Sequence, residues 1–229
     1  MVTRALSLAV EFCLLAANLV AFGALLAPGS RAGRVAFRAM VWGAVAALLA
    51  SLATMVLRLD VVWLMDAWRV DAMSQAVKAV IMAGLLGSVL VTRQDSDEWH
   101  DARAVGPFFR LACASALAAA ASAGDLIVLW IALDLGTAAL VISVAVGGRW
   151  SAREMVVRRL VQSWLPSSVL MLLGVILLAA VAGATRFVDL EAILPGLRDS
   201  PVVQLGLLLV LGSIVIRAVR CVALLLPAG

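Results

Sequence analysis

Asp134 stands near the middle of Ala123 to Gly147, an apolar stretch long enough to cross a bilayer. A carboxylate at the centre of a spanning helix costs about 2.5–3.5 kcal/mol on insertion scales. Such a residue is usually paired, faces protein or water, and marks an ion pathway. Arg159 and Arg217 fall inside two later apolar stretches. An arginine opposite an aspartate in a bundle holds the carboxylate ionised through charge-assisted hydrogen bonds. A row of such groups can relay charge between helices, and the competing reading is a static network that fixes helix register. Glu11 and Lys78, the chain's single lysine, are secondary candidates in the first and third apolar stretches. Lys78 lies close enough to its helix start for the ammonium to snorkel to the interface. A role in transport is the equal alternative.

Other chemistries find no support. The chain has no phosphate-binding glycine loop, haem ligand pair, iron–sulfur cysteine run or nucleophile–base arrangement. Cys13, Cys113 and Cys221 lie singly in apolar runs and read as small packing residues. His100 sits in a polar loop without a neighbouring Cys or His, so neither a metal nor a cofactor is expected in this chain. The net charge of +4 comes from arginines scattered over loop ends, not from a nucleic-acid-binding face.

The elements that hold these residues are membrane helices. Hydrophobic residues make up 65% of the 229, against about 45–50% in a soluble domain. Several runs reach the roughly 20 residues that a bilayer demands, and no strand-period alternation is sustained. The expected fold is an all-α polytopic bundle forming one membrane domain, residues 1–229. Its seven spans are expected near 5–27, 39–57, 72–91, 106–122, 125–147, 153–182 and 202–226. The first is too long and too polar for a signal peptide, since it carries Glu11 and Asn18.

Between the spans, loop Gly29 to Arg38 is basic. The stretch Leu57 to Asp71, with Trp63 and Trp68, reads as a surface-lying connection, a strand-like excursion being the alternative. Asp125 can cap the helix that follows it. Pro166 should kink the sixth span near Gln162. The run Asp189 to Gly196 suggests a short interfacial helix.

Arginines set the orientation. Arg31, Arg34, Arg38, Arg93, Arg103, Arg149, Arg153 and Arg158 fall on one side; Arg4, Arg58, Arg69, Arg186 and Arg198 fall on the other. The richer side faces the cytoplasm or matrix, which places the N-terminus outside.

Several segments, in order, resemble one family. They are LSLAVEFCLLAANLV around Glu11, WRVDAMSQAVKAVIMAGLLGSVLV around Lys78, and SAGDLIVLWIALDLGTAALVISVA around Asp134. EMVVRRLVQSWLPSSVLMLLGVILLAAVAG and GLLLVLGSIVIRAVRCVALLLP follow. The chain resembles the N-terminal half of subunit N of the bacterial NADH–quinone oxidoreductase, the counterpart of mitochondrial complex I subunit 2, in the antiporter-like family. The resemblance covers nearly all of this chain and about half of the family's length. It places the family's intramembrane Glu at Asp134, its two Lys positions at Arg159 and Arg217, and its Ser pair at Ser167-Ser168. Where the family's Lys is normally followed by Val-Pro-Phe-His, this chain has Val219-Arg220-Cys221-Val222.

These departures shape the expectation. Lysine can lose its proton when desolvated, as a relay requires, whereas arginine keeps its charge. The chain is expected to be a fragment-length, non-catalytic membrane-arm subunit of respiratory complex I whose own proton pumping is doubtful. Flavin, iron–sulfur clusters and quinone are expected in partner subunits. The implied partners are other membrane-arm subunits, a companion chain carrying the C-terminal half, and lipid, with no nucleic acid. A mitochondrial inner membrane is favoured over a bacterial one. A subunit of a multisubunit cation/proton antiporter is the runner-up, and a structural or assembly protein without transport is the third reading. Asp134 is expected to pair with Arg217, with Arg159 further along the same polar line.

Overall fold

The computed structural model describes residues 6–27, 31–64, 66–92, 105–146 and 150–225. Arg4, Ser30, Arg93, His100, Arg103 and Arg149 lie outside the described residues, as do the side chains of Arg153, Arg220 and Cys221.

Among the described residues, eight α-helices and one hairpin follow in order. They are α1 (Ala9–Leu26), α2 (Ala32–Val56), β1 (Val61–Trp63), β2 (Trp68–Val70), α3 (Ala72–Thr92), α4 (Val105–Ala121) and α5 (Leu126–Val146). Then come α6 (Trp150–Ala182), α7 (Phe187–Ile193) and α8 (Pro201–Leu225). A 3-10 turn, Leu194–Leu197, follows α7. Among the described residues, α1, α2, α3, α5 and α6 are long and apolar enough to cross a membrane. Residues 105–121 of α4 and 201–217 of α8 are shorter apolar helices packed with them. The chain is a multi-pass helical membrane protein.

Burial explains why these helices need lipid. Along α1 the buried positions are Val10, Leu14, Ala17, Ala21 and Ala24, a stripe at three- and four-residue spacing. The opposite face leaves Phe12, Leu15 and Leu19 more than half exposed. Trp42 on α2, Val80 on α3, Val169 on α6 and Leu208 on α8 are likewise exposed. Water would not tolerate apolar surface on this scale, whereas lipid solvates it. The protein-facing stripes are small instead, so helices approach closely. Where α6 crosses α8, a Cβ built on Gly174 would lie 2.8 Å from the Gly206 carbonyl oxygen. Any side chain there would push the two helices apart.

One hydrophobic cluster joins α1, α2, α3 and α4. A second joins α5, α6, α7 and α8. Helix α5 also packs along α4 and links the two groups.

The boundaries correct the expectation in several places. Helix α2 begins at Ala32 rather than residue 39, so Arg34 and Arg38 ride on the helix instead of in a loop. Arginine is a good helix former and its long stem can carry the charge outward. The stretch after α2 is a hairpin, not a flat surface connection. Its register is Val61↔Val70, Val62↔Arg69 and Trp63↔Trp68. β-Branched and aromatic residues fit a pleated, half-buried ribbon. Leu64 and Asp66, both at positive φ, fold the tip. Helix α6 runs through Pro166 as one continuous helix. The interfacial run forms α7 and the 3-10 turn, starting at Phe187. Asp125 does cap α5, its Oδ1 accepting from the Ile127 N–H at 2.7 Å.

Backbone hydrogen bonds sew three connections together at one end of the bundle. The Arg69 N–H donates to the Ser122 carbonyl at 2.8 Å, and the Gly124 N–H donates to the Ala67 carbonyl at 2.9 Å. The Phe187 N–H donates to the Gly124 carbonyl, and the Leu126 N–H to the Thr185 carbonyl. A Cβ on Gly124 would overlap the Asp66 carbonyl, so only glycine admits the hairpin tip here. The start of α1 joins this end through the Trp63 indole, which donates to Ser7 Oγ at 3.0 Å. Alternating spans require this arrangement, because the first helix start and every second connection then share a side.

Candidate functional site

Helix α5 presents Trp130 and Asp134 one turn apart. Helix α6 presents Trp164, Ser167 and Ser168, and α8 presents Arg217. Five of these side chains meet, and Trp164 joins them through its backbone carbonyl. Arg217 Nη2 donates to Asp134 Oδ1 at 2.5 Å. Ser168 Oγ donates to Asp134 Oδ2, and the Trp130 indole donates to Ser168 Oγ at 3.2 Å. Arg217 Nε donates to Ser167 Oγ at 3.2 Å, and that hydroxyl donates to the Trp164 carbonyl at 2.8 Å. Both carboxylate oxygens therefore accept, one from a guanidinium and one from a hydroxyl. The Asp134 and Arg217 side chains are 20% and 11% exposed, so lipid and water screen the pair little.

Arg159 is not brought to this pair. It precedes Ser167 and Ser168 by eight and nine residues, about 12–14 Å along the helix axis, and its side chain is exposed. It forms no ion pair among the described residues.

Glu11 and Lys78 form a second intramembrane pair between α1 and α3. Lys78 Nζ donates to Glu11 Oε1, and the lysine is wholly buried while Glu11 is 23% exposed. Snorkelling is thereby overturned. The ammonium turns inward because a carboxylate waits there and because the hairpin covers the helix start. The Trp68 ring lies over Nζ, its centroid 5.9 Å away, within cation–π range. Helix α3 is anchored above the pair by a reciprocal cap. The Asp71 N–H donates to Ser74 Oγ at 3.0 Å and the Ser74 N–H donates to Asp71 Oδ1 at 2.7 Å.

The sequence held a signal for this second pair. Counted from the expected span starts at residues 5 and 72, Glu11 and Lys78 each stand six positions in, and the two helix starts share an end of the bundle. Equal depth on two helices of one cluster was the clue.

Cys13 and Cys113 are half-buried thiols, and Cys13 packs against the first cluster. Among the described residues no three His, Cys, Asp or Glu side chains gather as metal ligands would. No family model matches the chain, and no curated protein matches it either.

Proposed function

We propose that this chain is a fragment-length, antiporter-like membrane-arm subunit of a respiratory NADH:quinone oxidoreductase, housed in a mitochondrial inner membrane. The observation that carries the reading is the Asp134–Arg217 pair braced by Ser167 and Ser168. These are the positions at which the resembled family holds its intramembrane acid, base and serine pair. The chain takes no part in the redox chemistry, whose flavin, iron–sulfur clusters and quinone belong to partner subunits. Its partners are the other membrane-arm subunits, a companion chain carrying the C-terminal half, and lipid. Within the module, Asp134–Arg217 acts as a register-fixing link rather than a proton step, because a guanidinium keeps its charge.

Purification of the native assembly through a tag on this chain, followed by mass-spectrometric inventory, tests the proposal. Flavin- and iron–sulfur-bearing subunits are expected. Recovery of cation/proton antiporter subunits without them would replace it, and recovery of assembly factors alone would make the chain a structural protein. Arg217→Lys in the intact complex should leave pumping stoichiometry unchanged, and a rise would show that the line relays protons.

A further inference from the structure

The buried polar atoms beneath the hairpin point to a site that neither ion pair explains. Glu11 Oε1 holds Lys78, but Glu11 Oε2 is buried without a hydrogen-bond partner among the described residues. Both amide atoms of Gln75, a wholly buried residue, are in the same condition. So is the indole N–H of Trp68, the residue whose ring lies over Lys78 Nζ. Gln75 and Lys78 are three residues apart and share a face of α3. Ser7 lies two residues before α1 and Glu11 in its first turn. The hairpin roofs both helix starts, with Trp63 tied to Ser7 and Trp68 above Lys78.

We infer that Glu11, Gln75, Trp68 and Lys78 enclose a bound-water site, through which the Glu11–Lys78 pair exchanges protons with the hairpin side of the membrane. The ligand class follows from the unpartnered atoms. Two of them accept, Glu11 Oε2 and Gln75 Oε1, and two donate, Gln75 Nε2 and Trp68 Nε1. A metal cation needs acceptors alone and an anion needs donors alone. Water offers two donors and two acceptors and satisfies a mixed set. Buried polar groups left dry are strongly unfavourable, and internal water is the usual remedy in a polar site with several partners. Glu11 stays 23% exposed, and the hairpin that contacts Ser7 and Lys78 marks the end of the bundle nearest the pair. The site is hydrated whichever complex houses the chain, so its test stands apart from the subunit inventory.

The full chain in lipid nanodiscs, carrying 15N-indole tryptophan, reports directly. Trp68→Phe assigns the Trp68 N–H signal. That N–H should exchange with water several-fold faster than the Trp63 N–H, which is hydrogen-bonded on the same hairpin. In Gln75→Leu the Trp68 exchange should slow several-fold while Trp63 exchange stays the same. Wild-type Trp68 exchange as slow as that of Trp63 would show a dry site and overturn the inference, even if the Leu variant fails to fold. Unchanged Trp68 exchange in a folded Gln75→Leu variant would overturn it as well.

Discussion

Asp134 and Arg217 meet between α5 and α8 with both carboxylate oxygens engaged, whereas Glu11 and Lys78 meet between α1 and α3 with one carboxylate oxygen left over. The first pair gathers two serines and an indole into a connected network. The second lies beside an amide that bonds to nothing described. Arg217 Nη1 and the Trp164 indole N–H have no partner among the described residues, but a carboxylate with both oxygens engaged in a low dielectric fixes one arrangement of its helices. A partly satisfied one retains capacity for water and for a proton. The choice of cation points the same way, since arginine is permanently charged and lysine is not. The chain thus joins its second helix group with a fixed charge and keeps the adaptable pair in its first.

Substitutions can break or sharpen that contrast. Asp134→Asn should be the most damaging, because it strands a charged guanidinium in the bundle, a loss of about 3–5 kcal/mol. Thermal unfolding in nanodiscs measures it, and an Asn variant as stable as the parent chain would remove the case for a register device. Glu11→Gln should cost less, about 2 kcal/mol, since the amide oxygen still accepts from Lys78 and a lysine can shed its proton. Equal losses for the two variants in the same unfolding assay would erase the distinction between the pairs. Ser168→Ala removes one bond to an ionised carboxylate while Arg217 remains, a loss of about 1.5 kcal/mol. A double-mutant cycle with Trp130→Phe should show coupling, and strict additivity would mean that the two groups do not form one network. Arg159→Gln should change stability by no more than about 0.5 kcal/mol, as for an ordinary exposed position. A large loss there would extend the polar line to Arg159 after all.

Much of the fold was legible because membrane helices are written in length and apolarity. Helix α5 was expected at 125–147 and spans Leu126–Val146, and its Asp125 cap was read from one residue. The hairpin was harder. Trp63 and Trp68 carry both an interfacial and a strand preference, and pairing with each other and with the Ala123 loop decided between them. The start of α2 was misplaced because arginines at 34 and 38 resemble a loop until one sees that they continue a helix.

Apolar runs, the intramembrane position of Asp134, Arg217, Glu11 and Lys78, and the cap before α5 follow from sequence alone, since each depends on a residue and its chain neighbours. Which charge meets which was decided by tertiary structure. Lys78 could have reached for the interface on its own helix. It is buried because α1 brings Glu11 to the same depth and the hairpin closes over both. Arg159 and Arg217 read alike as intramembrane arginines, yet only Arg217 lies on a helix face turned toward Asp134. Pairing in a bilayer depends on helix rotation and depth relative to a neighbour, and those are properties of packing between segments far apart in the chain.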